Sequence, residues 1–500
     1  MPQKEISLPP DSSALIEGLR SIGYTLETAI ADIIDNSITA RAKNISIRFS
    51  WGNGSPWIAI IDDGVGMTSK ELRNNMRFGC KNPRDKRNKD DLGRFGLGMK
   101  TASFSQCKRM TVISKKAKSK VSGCEWDLDR ISKNPERSWN AFLLDEADIK
   151  KSKSLSSIFN DELENKDSGT IIYWSNMDVT MSDMDSGASE KAFSGLMDNA
   201  RKHIESVFHR FLQGEAGLKK TAIDFNRTPL IPFYPFGPDI PSRQVLPKEE
   251  FKIQGKKISI QPYILPHQSK YESHQDYENY AGQDGYLQNQ GFYVYRGKRL
   301  IIPSTWFRLL PKKELTKLVR IRVDIPNSLD SLWQIDVKKS QAAPPEAVKS
   351  KLKQFISRCE VGGKRVYTAR ATKIRNRGIT PVWRREAVNK AIRYVLNEEH
   401  PLNKKILDES GKAKETLLAY LNLINETFPY DSFYADAASD ETVFAVNEPD
   451  EIKMTELGVE IAHALLNCEI PKNKIEEHLK KTEPISSYPE VINKILTRIK

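Results

Sequence analysis

Two glycine clusters limit most sharply what this chain can fold into. Gly64 and Gly66 follow directly on the apolar run WIAIIDD, and Gly93, Gly96 and Gly98 lead into the helical pattern MKTASFSQ. Glycine after a strand lets another group approach the backbone, and glycine at a helix start leaves amides free to bind an anion. The surrounding pattern is mixed. SALIEGLRSIGYTLETAIADIIDNSITA reads as a helix pair, NISIRFS alternates like a strand, and GNGSP joins it to WIAIIDD as a hairpin. GVGMTSKELRNNMRFG becomes a helix with Thr68 or Ser69 as its cap and Glu71 in its first turn. RMTVISK, EWDLD and TIIYWSN read as further strands, with KKAKSK at a hairpin tip. This predicts an α+β fold with a largely antiparallel sheet, ending near residue 185.

The chain has 500 residues, room for about three domains. A second unit, 186–359, is expected to open on the helix MDNARKHIESVFHRFLQ. It continues through TAIDFN, KISIQPYIL, GFYVYRGKRLI and VRIRVDIP, and a helix from roughly 346 closes it. Residues 360–500 are expected to be mostly helical and highly charged. No uninterrupted apolar run reaches the ~18 residues of a membrane helix, so no membrane partner is expected. The five cysteines are scattered and never form C-x-x-C, which speaks against disulfides or a zinc site and for a reducing cytoplasm.

Four segments carry candidate chemistry. In ADIIDNS, Asp32 and Asn36 lie ~40° apart in helical projection and share a face. A carboxylate beside a carboxamide can hold an attacking water together with a Mg²⁺ shell, because Mg²⁺ takes oxygen ligands and keeps waters. In IIDDGVGMTS a strand end delivers Asp62, which can accept from an exocyclic amine such as adenine's. There Gly64 and Gly66 admit the base, and Met67 can pack on its face. In GRFGLGMKTAS, the stretch Gly93, Arg94, Phe95, Gly96, Leu97, Gly98 and Met99 offers amides to phosphate, and Lys100 adds a point charge. The spacing is neither a dinucleotide fingerprint nor a Walker A loop. In DSGTIIYWS, Thr170 opens a strand with a hydroxyl in reach of the adenine edge, directly or through water. Each segment alone is equally a polar helix face, a turn, a helix start or a good β-former.

Their order and spacing resemble the Bergerat nucleotide-binding fold of the GHKL superfamily over about residues 13–180. AIADIIDNSITA, IDDGVGM, GRFGLGMKTAS and GTIIYW look most like the motifs of MORC-type and chaperone-like ATPases. The resemblance implies a two-layer α/β sandwich in 1–185, with ATP and Mg²⁺ as cofactors. Asn36 would be the metal ligand, Asp62 would meet the adenine amine, and Gly64 and Gly66 would shape the base pocket. Lys100 with the 93–99 loop would hold the phosphates, under a lid at 78–92. The family's usual glutamate is Asp32 here, so slow turnover is expected from the shorter arm. Asp35 is expected to serve packing or hydrogen bonding to the second motif, and Glu27 to face away.

QGFYVYRGKRLI resembles the MORC-type transducer, a ribosomal-protein-like α/β domain, which implies a lysine on the γ-phosphate, Lys338 or Lys339. The expected function is an ATP-gated clamp whose N-terminal domains dimerise on ATP binding. The stretch 364–385 holds eight Lys/Arg and no Asp or Glu, and the chain carries a net charge of +13, so DNA is the expected ligand. A prokaryotic restriction or antiphage role, with a nuclease or methyltransferase as partner, is one setting. A chaperone-like ATPase with a protein client, or a switch that barely hydrolyses, are the alternatives.

Overall fold

The computed structural model describes residues 11–330 apart from 22, 80–97, 134–138, 179–188, 216, 238, 268–269 and 283. It also describes 332–333, 344–358, 383–388, 391–396, a few positions between 423 and 433, and most of 451–499. Two compact units divide the chain, Met1–Tyr367 and Thr368–Lys500.

The first unit opens on α1 (Ser12–Arg20) and α2 (Leu26–Thr39), followed by the hairpin β1 (Asn44–Ser50) and β2 (Trp57–Asp62). Next come α3 (Ser69–Met76), α4 (Gly98–Phe104), β3 (Arg109–Lys115), β4 (Ser122–Asp127), β5 (Phe142–Leu144) and β6 (Gly169–Ser175). The chain then forms the long helix Glu190–Val207 and returns to the sheet as β7 (Ala222–Phe225) and β8 (Thr228–Pro229). Among the described residues the sheet order is β5-β4-β3-β6-β2-β1-β7-β8, antiparallel throughout except for the parallel β1–β7 pair.

The apolar run of β2 reflects burial on both faces. Ile58 and Ile60 join the core formed with Ile30, Ile33 and Ile34 of α2, Phe104 of α4 and Ile204 of the long helix. Ala59 and Ile61 point to the other side, where Ile149, Leu155, Ile158 and Phe159 cover the sheet. Alternation across a pleated strand requires this division.

TAIDFN, expected to belong to the second unit's sheet, is β7 of the first sheet, pairing Asn44–Ala222 through Ile47–Phe225. A parallel neighbour needs a crossover, and the helix Glu190–Val207, packed on α2, supplies it. The sheet that was expected to end near 185 therefore runs on to residue 229.

The second sheet holds β9 (Gln244–Val245), β10 (Glu249–Ile253), β11 (Lys256–Ile264), β12 (Gly291–Arg296), β13 (Arg299–Thr305) and β14 (Val319–Ile325). Its order is β10-β11-β14-β12-β13, with β9 beside β11. Arg210, buried between the two sheets' elements, donates to Glu215 and to Asp324 of β14. The hydroxyl of Tyr295 and Nε2 of His209 are hydrogen-bonded at 2.8 Å in the same region.

The second unit contains the helices Glu451–Asn467, Lys472–Lys481 and Pro489–Arg498, closed around Ala462, Ile475, Leu479, Val491 and Ile495. It also contains a hairpin, β15 (Trp383–Val388) with β16 (Ala391–Leu396), which takes in Arg384 and Arg385 of the basic stretch. Residues 364–382 lie outside the described residues. No described helix is long and apolar enough to cross a membrane.

Candidate functional site

The site is built where α2 passes over the end of β2. Asp62, the last residue of β2, stands opposite Thr170 of β6. Its carboxylate accepts from the Gly64 amide (2.9 Å) and from the Ser37 hydroxyl of α2 (2.9 Å). Burial pushes the Asp62 carboxyl up to about 6, against the pull of those two donors. The Ser114 hydroxyl lies 3.0 Å from that of Thr170 and accepts from the Met67 amide at 2.9 Å. Gly66 has φ +62, and a Cβ there would meet the Lys115 carbonyl oxygen at 1.9 Å. A Cβ on Gly64 would meet the Ala40 carbonyl oxygen at 2.8 Å. Both glycines are thus demanded by close backbone approach. Asp62, Gly64, Gly66, Met67 and Thr170 are brought together.

A second polar node lies on the preceding turns of α2. Asp32 is 2% exposed; its Oδ2 accepts from the Tyr24 hydroxyl at 2.9 Å, and its Oδ1 lies 3.5 Å from Nη2 of Arg299. Nε of Arg299 lies 3.1 Å from Oδ1 of Asp35. Burial, followed by the neighbouring Asp32 charge, drives the Tyr24 phenol well up. A Cβ on Gly98 would sit 3.8 Å from Asp32 Oδ2, so the start of α4 borders this node. Asn36 is half-buried, and its side chain makes no hydrogen bond among the described residues. Met99 packs against the core while its carbonyl accepts from Ser103, and the buried Lys100 donates from Nζ to the Asn75 carbonyl at 2.6 Å. Gly93, Arg94, Phe95, Gly96, Leu97, Lys338 and Lys339, with residues 80–92 of the expected lid, lie outside the described residues.

Asp35, expected to serve packing or hydrogen bonding to the second motif, is fully buried and faces Arg299, and Ser37 supplies a hydrogen bond to that motif at Asp62. Glu27 and Arg299 both act on His203 of the long helix, whose imidazole burial pushes down to about 4. Sequence reasoning missed Ser37, Ser114, Tyr24 and Arg299. Ser37 was legible in principle, since it falls one residue past Asn36 on the motif helix. Arg299 was not, because only the folded hairpin brings it to α2.

The end of β2 thus gathers a buried carboxylate, two glycines moulded to backbone and, on the covering helix, a carboxamide without a hydrogen bond among the described residues. Residues 24–170 match the family described as "Histidine kinase-, DNA gyrase B-, and HSP90-like ATPase", so this domain is a GHKL-type ATPase domain. Among curated proteins the chain is 29% identical over 147 residues to human "Structural maintenance of chromosomes flexible hinge domain-containing protein 1". It is 29% identical over 89 residues to "ATPase morc-1" of Caenorhabditis elegans. These alignments cover 24% and 18% of this chain, and 7% and 10% of those relatives.

Proposed function

We propose that this protein binds Mg-ATP between α2, β2, β6 and α4, hydrolyses it slowly, and uses the cycle to close two copies into a clamp on DNA. The observation that carries the reading is the Asp62 node. Both protein donors to that carboxylate come from the motif segments, and β6 sets Thr170 beside it. Ionised Asp62 would accept from the adenine amine, and Thr170 would serve the base edge with Ser114 holding its hydroxyl.

Asn36 suits a Mg²⁺ that arrives with the nucleotide. The ion needs few protein oxygens once phosphates and waters fill its shell, and this carboxamide is uncommitted among the described residues. The bound ion would neutralise phosphate charge. Asp32 would orient and deprotonate the attacking water, a general-base role that needs reach of ~3 Å or one bridging water. Lys100 would exchange the Asn75 carbonyl for a phosphate oxygen, and Lys338 or Lys339 would meet the γ-phosphate on closure. The MORC-type likeness, the charge of +13 and the 364–385 stretch support DNA as the ligand; a cytoplasmic setting and a nuclease or methyltransferase partner in an antiphage system complete the proposal.

Calorimetry with Mg-ATP on the intact chain tests the core of this reading. One nucleotide per chain is expected, lost in Asp62→Asn, with Mg²⁺-dependence lost in Asn36→Ala. Undiminished binding by Asp62→Asn would refute the site.

A further inference from the structure

We propose that Arg299 is a positioning residue: it acts through Asp32, and it makes turnover conditional on the seating of the β12–β13 hairpin. The proposal rests on the reading of Asp32 as the base.

Arg299 is the first residue of β13, yet its guanidinium is buried against the other sheet's covering helix. Nε stands 3.1 Å from Asp35, Nη2 stands 3.5 Å from Asp32, and Cζ lies 5.6 Å from the centre of the Phe208 ring. Asp32 and Asp35 are one turn apart on α2 and both are buried. Two such carboxylates repel in a medium of low dielectric, and a guanidinium set between them offsets that repulsion while its Nη2 donates to Asp32. Tyr24 holds the remaining oxygen of Asp32. The carboxylate that must aim a water is thus oriented from one side by its own domain and from the other by the transducer-type sheet.

The same hairpin is tied on its other strand to Asp330. Arg296, the register partner of Arg299, donates from Nε and Nη2 to the two oxygens of Asp330 at 2.7 and 2.6 Å. The connecting Gly297 and Lys298 have φ +53 and +74, the handedness of a tight two-residue hairpin turn. A short, stiff turn therefore carries one buried arginine to Asp32 and another to Asp330.

The test compares full-length wild type, Arg299→Gln, Arg299→Lys, Asp32→Asn and the Arg299→Gln/Asp32→Asn double variant. Mg-ATP affinity, kcat, KM and cooperative unfolding are measured for each. A residue acting through Asp32 lowers kcat by ~10-fold or more in Arg299→Gln, leaves KM and affinity within about threefold, and gives an intermediate kcat in Arg299→Lys. In the Asp32→Asn background the same change should add less than about twofold, because the two share one step. A loss that multiplies in the double variant, a change confined to KM, or full kcat in Arg299→Gln overturns the proposal. If Arg299→Gln does not unfold cooperatively, Arg299→Lys carries the test, and its full kcat overturns the proposal. A slow Asp32→Asn beside a fast Arg299→Gln sinks this inference alone, whereas full turnover in Asp32→Asn sinks the base assignment beneath it.

Discussion

Asp62 pays for its position in the fold with a charge held out of water. Its carboxyl is raised to about 6 by burial, while the unfolded chain titrates near the ordinary value of 3.8. Between those two values the native state binds the extra proton, so this group's contribution to stability falls as pH rises through that window. Asp62→Asn removes the titration. Its Tm relative to wild type should therefore rise from about pH 4 to about pH 7, and a flat difference would contradict the burial argument. Wild-type ATP affinity should weaken below about pH 6 as the acceptor is protonated. Glycines give the complementary test. Gly66→Ala drives a Cβ into the Lys115 carbonyl at a positive φ and should cost at least about 2 kcal/mol by denaturant unfolding. Gly18→Ala, on exposed α1 with nothing within 4 Å, should stabilise by about 0.5–1 kcal/mol. Asp62, Gly64, Gly66 and Thr170 were legible because each sits at a strand end or in a turn whose local pattern is unambiguous. Arg299 was illegible because an arginine in a hairpin reads as solvated until tertiary packing buries it.

At the scale of elements, α3 shows how local chemistry reaches the site. Thr68 and Glu71 form the expected reciprocal cap: the Glu71 amide donates to the Thr68 hydroxyl, and the Thr68 amide donates to the Glu71 carboxylate. Lys116, from the β3–β4 turn, adds an ion pair to Glu71 at 2.7 Å. The end of this helix presents the Asn75 carbonyl to Lys100. Thr68→Ala should cost about 1 kcal/mol and speed amide exchange across 69–76, with smaller effects on α2; unchanged exchange would show that the cap does not govern α3. Individual strands of the first sheet were readable, because alternation and turn residues are local signals. Membership of β7 was not, since a four-residue strand alternates equally well beside any neighbour, and the crossover helix decides which neighbour it meets. The hairpin β15–β16 escaped notice for a related reason: its charged, aromatic composition suits a helix face as well as an edge ribbon.

For the whole molecule, sequence order along the first 180 residues said more than any single residue, because each of the four motif segments taken alone has an ordinary structural reading. The ligand of the clamp is a matter of long-range charge instead. A surface that neutralises phosphates releases condensed counterions, so log K falls with log salt by about 0.9 for each phosphate contacted on duplex DNA. If residues 364–385 supply such contacts, replacing Arg375 and Arg377 by Gln should weaken binding to unrelated duplexes about equally and reduce the salt slope by up to about 2. The charge lost from the chain is small, +13 to +11, so a long-range field effect alone would leave the slope nearly unchanged. Local phosphate contact and diffuse attraction thereby predict different slopes for one double substitution. Sedimentation with a non-hydrolysable ATP analogue separates the remaining step. Under the proposed clamp, mass doubles on nucleotide binding with or without those arginines, because the proposal assigns dimer closure to the ATPase domain and DNA capture to the 364–385 stretch. Loss of both properties on the Arg375/Arg377 change would mean that this stretch serves assembly, and that DNA is not what it was selected to hold.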